Sequence, residues 1–103
     1  MPIHKGSLSD GTNGAILSSP RSVFVSGNYA YVVGGNTSGA LEIVDVSNPS
    51  SPTHIGTIGN GTDGALLNTP FSVFISGNYA YIASYGSNAL EIVDVTKSFD
   101  SGS

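Results

Sequence analysis

The sequence predicts an all-β chain of two four-stranded antiparallel sheets, and three observations lead there. The 103 residues carry 10% charged side chains, 39% apolar ones and 14 glycines, which fits turn-dense β structure better than helix. The chain repeats itself: His4 recurs as His54, Pro20 as Pro70, and Ser-Gly-Asn-Tyr-Ala-Tyr at 26–31 returns unchanged at 76–81. The run Ala-Leu-Glu-Ile-Val-Asp-Val also occurs twice, at 40–46 and 89–95, with the length and β-branched content of a buried strand.

Each repeat resolves into four strands. Residues 3–8, matched by 53–58, form a modest strand with polar residues interspersed. A long Gly/Asn/Asp/Thr loop follows at 9–20 and 59–70, and then the apolar runs 22–25 and 72–75. Ser26-Gly27-Asn28 and Ser76-Gly77-Asn78 are hairpin chemistry, because Gly and Asn tolerate positive φ. Strands at 29–33 and 79–83 come next, then a Gly/Ser/Asn loop, then the repeated heptapeptide. His4 and His54 lie 50 positions apart but Leu41 and Leu90 only 49, so an indel marks the loop between these last two strands. Pro49 and Pro52 forbid the ladder from continuing past the first heptapeptide and turn the chain back. The chain divides into a first repeat at 2–51, a second at 52–96 and a tail at 97–103. Each repeat opens with an outer strand: residues 53–58 close the sheet of repeat 1, and residues 3–8 stand before any sheet.

Four antiparallel strands in a repeat of this length are the signature of a propeller blade. Both faces of the middle strands are apolar, Val23 and Val25 on one side with Phe24 on the other, as expected of blades stacked face to face around an axis. Leu41-Glu42-Ile43-Val44-Asp45-Val46-Ser47-Asn48-Pro49 resembles the LVIVD repeat of bacterial and archaeal β-propellers, and the resemblance extends over both repeats. It implies the propeller fold and no catalytic residues. Glu42 and Glu91 stand at the second position of the family's motif, where an exposed or edge-facing carboxylate is expected.

Two blades cannot close a ring, since closed propellers use at least about four. Large apolar faces would be left uncovered. The expectation is homo-oligomerisation through head-to-tail contacts, a trimer giving six blades or a tetramer eight; excision from a longer repeat array is the alternative. Strand order sharpens this, because the strand 89–95 has no outer strand after it. An unpaired edge invites pairing. Ile3, Lys5 and Leu8 of one copy are therefore expected to meet Leu90, Ile92, Val93 and Val95 of another.

Composition excludes several functions. A net charge of −4 with three basic residues cannot neutralise a phosphate backbone, so nucleic acid is not an expected partner. No apolar run approaches the roughly 20 residues of a membrane helix. The first residues do not read as a signal peptide, and the composition is compatible with an extracellular bacterial protein without fixing a compartment. There is no cysteine, and one histidine per repeat in an outermost strand gives no zinc site, so His4 and His54 are read as structural or solvent-facing. No Gly-x-Ser-x-Gly elbow accompanies a histidine, and neither catalysis nor a cofactor is expected.

The candidate binding residues are few. Asp10 and Asn13, with Asn60 and Asp63, place oxygen ligands among glycines, but one carboxylate per loop favours Asx-turn chemistry over calcium. Asp45 and Asp94 are expected to cap backbone amides at the ends of their strands. Arg21 in repeat 1 stands where repeat 2 has Phe71, and Tyr85 stands where repeat 1 has Gly35. In a ring the first pair would alternate around one mouth of the channel, a rim suited to an anion, a sugar or a peptide. The sequence reads best as a non-enzymatic scaffold that assembles by blade completion. A lectin-like or peptide-binding ring is the alternative.

Overall fold

The computed structural model describes residues 2–96, and the tail at 97–103 lies outside them. Seven strands run in chain order: β1 (Pro20–Ser26), β2 (Tyr29–Gly34), β3 (Ala40–Asp45), β4 (Thr53–Gly59), β5 (Pro70–Ser76), β6 (Tyr79–Ser84) and β7 (Ala89–Asp94). They form one sheet of order β1-β2-β3-β4 and a second of order β5-β6-β7, antiparallel throughout. Short 3-10 turns at Thr12–Gly14 and Thr62–Gly64 punctuate the long loops.

Among the described residues there are a four-stranded and a three-stranded sheet rather than the expected two of four, and residues 3–8 join no ladder. The reason is connectivity. β4, their counterpart, pairs with β3, the strand before it in sequence, whereas no strand precedes residues 3–8 among the described residues. Their backbone lies instead beside the turn at 49–52, where an added Cβ on Gly6 would strike the Pro49 carbonyl.

Local chemistry sets the turns. Gly27 and Gly77 each hold φ 60° at the first position of a two-residue hairpin, the arrangement whose twist suits paired strands. The Asp45 carboxylate accepts the Ser47 N–H at 2.8 Å, and Asp94 accepts that of Thr96 at 3.0 Å. Hydrogen bonding from Ser47, through its hydroxyl and then its amide, holds the Asp45 carboxyl below the usual range.

The two sheets stack with one face of each turned inward. Tyr31, Val33, Leu41 and Ile43 of the first sheet meet Val73, Ile75, Ala80, Ile82 and Val93 of the second, with Val95, Ala65 and Leu67 filling the seam. The edge strands β1 and β5 lie side by side, and the Phe24 and Phe74 rings pack at 4.8 Å with a 52° tilt. At Gly39 the backbone comes so close to the second repeat that a Cβ would meet the Leu67 carbonyl and Pro70 Cδ. Gly39→Ala is expected to cost about 2 kcal/mol, seen as a lower urea midpoint at unchanged slope.

Candidate functional site

The outer part of the first sheet is organised around Glu42. It sits mid-strand in β3, and its backbone pairs with Val32 on one side and Thr57 on the other. The sequence suggested an exposed carboxylate; Glu42 is in fact 0% exposed. The loop before β1 folds over it, and Glu42 Oε1 accepts the Ile16 N–H at 3.0 Å. Its other oxygen meets His54 Nδ1 from β4. A carboxylate can be held in such a place only if its lone pairs are satisfied, and here an amide and an imidazole satisfy them. A bulge positions the histidine: Ile43 pairs with Gly56 and Val44 with His54, leaving Ile55 as the extra residue. His54 thereby joins Glu42 and Val44 on one face. Neither His54's partner nor Glu42's burial was read from the sequence, although the recurrence of both residues was the available signal.

The second sheet repeats half of this arrangement. Glu91, half-buried in β7, accepts the Leu66 N–H at 3.1 Å, the counterpart of Ile16 to Glu42. Beyond it the edge of β7 is unpaired among the described residues. A cavity of about 410 Å³ opens along that edge, lined by Glu91, Ile92 and Asp94 of the strand and by Thr62, Asp63 and Ala65 of the covering loop.

Identical strands meet different fates across the two sheets. Leu41 and Ile43 are 0% and 1% exposed, and their copies Leu90 and Ile92 are 66% and 53% exposed. On the opposite face the inequality reverses: Val73 is 6% exposed and its copy Val23 is 59%. The second sheet therefore shows the face of Phe74, Leu90 and Ile92, and the first sheet shows Val23 and Val25 of β1 while Glu42 and Val44 on that same face stay buried. A mostly apolar groove of about 450 Å³ runs over the outer face of the first sheet, bordered by Leu8, Leu17, Ala30, Val32 and Val44.

Among the residues expected at an assembly surface, Ile3, Lys5, Leu90 and Ile92 are exposed and Leu8 is half-exposed. Val93 and Val95 are not available as side chains, because both are buried within the chain against the first sheet. Alternation explains it: Ile92 and Val93 must point to opposite faces of β7. Val23, Val25, Phe74 and Tyr79 are exposed apolar residues that the sequence did not single out for this role.

At one end of the sheets Arg21 and Phe71 come together. The guanidinium lies 5.8 Å from the Phe71 ring centroid, and Arg21 Nη2 donates to Asn36 Oδ1 at 2.8 Å. Tyr85, 77% exposed, joins Phe71, Ser84 and Asn88 around a cavity of about 320 Å³. The Ser84 hydroxyl is buried there without a hydrogen-bond partner. Ser19 and Thr69, just before the prolines that open β1 and β5, hold left-handed backbone at φ 46° and 52°, a strained choice for Thr worth about 1 kcal/mol or more.

The loop residues serve the backbone. Asp10 accepts the Leu17 N–H at 2.8 Å; Asn60 accepts that of Leu67 at 2.9 Å and donates to the Thr37 carbonyl. Asn13 and Asp63 both hold φ 51°, a left-handed conformation that short polar side chains tolerate. No group of three histidine, aspartate or glutamate side chains capable of holding a metal ion occurs among the described residues.

Comparison with known proteins gives one family. The LVIVD repeat matches residues 19–59 and again 71–101. No curated protein and no solved structure gives a significant match to the chain.

Proposed function

The chain belongs to the LVIVD-repeat family, and from that premise we propose that it is a non-enzymatic β-propeller scaffold that assembles with copies of itself, residues 3–8 of one copy adding to the free edge of β7 in the next. The observation that carries this reading is the pair of uncovered faces. Phe74, Tyr79, Leu90 and Ile92 on the second sheet are the counterparts of first-sheet residues Phe24, Tyr29, Leu41 and Ile43, which form or pack against the core. Val23 and Val25, exposed on the first sheet, are the counterparts of Val73 and Ile75, buried in the second. The contact inside one chain is thus a template for the contact between chains, and a repeated head-to-tail contact closes a ring when the rotation permits. Exposed apolar area of this kind favours a partner.

Three copies would give six blades and four copies eight, within the range that closed propellers use. Light scattering is expected to return three or four times the 10.4 kDa chain mass. Register can be tested as well. β3 and β4 pair Leu41 with Ile58, so Leu90 should oppose Leu8 of the next copy. The cysteine-free chain carrying Leu8→Cys and Leu90→Cys should then oxidise to covalent multimers, whereas Leu8→Cys with Ile92→Cys should not. A 10.4 kDa species at every concentration, with no cross-linking by either variant, overturns the proposal.

A second reading concerns what the ring would hold. The Arg21 guanidinium over Phe71, beside the exposed Tyr85, supports contact with a glycan or peptide through a rim repeated around the axis. Saturable binding on a glycan or peptide array, lost in Phe71→Ala, would support it. No binding on either array would reject it.

A further inference from the structure

We infer that His4 of one copy supplies to Glu91 of the next the imidazole contact that His54 makes to Glu42 within the chain. The inference rests on the blade-completion reading and adds to it a named polar pair that fixes the register of the added strand. It stands on three features of the fold.

The carboxylate is already half-engaged. Glu91 accepts the Leu66 N–H as Glu42 accepts that of Ile16, so the same oxygen is occupied in both sheets. In the first sheet the second oxygen has His54; in the second sheet no imidazole stands beside Glu91 among the described residues. The chain has two histidines, and His54 is taken.

The space around Glu91 fits the same visitor. In the first sheet His54 sits under the loop, and an added Cβ on Gly14 would lie 3.7 Å from its Nε2. The equivalent Cβ on Gly64 would meet nothing within 4 Å. The cavity of about 410 Å³ lies there, between the Thr62–Ala65 segment, Thr57 and Ile58 of β4, and the edge of β7.

The incoming segment carries the matching residues. Aligned with β4, residues 3–8 put His4 on His54, Gly6 on Gly56, Ser7 on Thr57 and Leu8 on Ile58. The β3–β4 register, bulge included, then sets His4 opposite Val93 and Gly6 opposite Ile92, as His54 opposes Val44 and Gly56 opposes Ile43. Ser7 would repeat the bond of Thr57 Oγ1 to the Leu41 carbonyl by donating to Leu90. A one-residue slip would carry His4 to the opposite face and leave Glu91 without its second partner, so the pair selects one register among several.

The test uses the full chain as wild type, His4→Gln, Glu91→Gln and the double variant, with association measured by sedimentation across concentration. Each single variant is expected to weaken association about ten- to a hundredfold, as for loss of a charged hydrogen bond. The double variant should be no weaker than the worse single one, since both remove the same contact. Circular dichroism of each variant at low concentration checks that its sheets are intact. As a second readout, the imidazole nitrogen shifts of His4 should change with Glu91→Gln only where the protein is assembled, while those of His54 stay fixed. If wild type assembles and the variants associate equally well, or the His4 shifts ignore Glu91→Gln, the pairing is wrong and blade completion stands. If wild type is a single chain at all concentrations, both fall together.

Discussion

Deleting residues 1–9 is expected to leave a soluble monomer or an aggregate in place of the proposed assembly. Among the described residues the segment pairs with no strand, so its loss removes no ladder from the isolated fold. In the proposed assembly its contribution lies between copies. By the register of β3 with β4 it would add a strand's backbone bonds, each worth about 1 kcal/mol net, and bury Leu8 at about 1.5–3 kcal/mol. Light scattering reads the outcome directly. A deletion variant that still forms the same closed ring would remove the arm from the account, and the exposed faces alone would have to explain assembly.

Leu41→Ala and Leu90→Ala give the second large effect, because the same residue in the same heptapeptide has opposite surroundings. Leu41 is fully buried, and truncation is expected to cost about 2–5 kcal/mol at any protein concentration. Leu90 is 66% exposed in the single chain, where truncation should stay within about 0.5 kcal/mol. In a ring its side chain faces the next copy, and the cost should rise toward that of Leu41. Urea unfolding at low and high protein concentration separates the cases. A Leu90→Ala effect that is small and concentration-independent would mean that no copy covers this face.

The architecture was legible because it is written in local chemistry. Gly27-Asn28 and Gly77-Asn78 mark the hairpins, Pro49 and Pro52 stop a ladder, and the apolar runs fall where the strands are. Asp45 and Asp94 lie within two residues of the amides they cap. Residues 3–8 repeat the pattern of β4, yet among the described residues they form no strand, since a strand exists only where an edge accepts it. The environment of Glu42 was hidden for a similar reason. Its amide partner comes from Ile16, 26 residues before it, and its imidazole from a bulged strand 12 residues after it. No local pattern reports either contact.

The six residues Ala-Leu-Glu-Ile-Val-Asp of β3 and β7 draw the line between the two sources of information. Sequence alone determined that both copies are strands, that each follows a hairpin, and that Leu and Ile share one face while Glu and Val share the other. The buried strand expected of both copies holds for β3, buried nearly end to end, and fails for β7, and only the tertiary structure decided that β7 shows Leu90 and Ile92 to solvent. Alternation along a strand is a property of its own backbone. Burial is a property of whatever packs against it, and among the described residues nothing covers the face of β7 that carries Leu90 and Ile92.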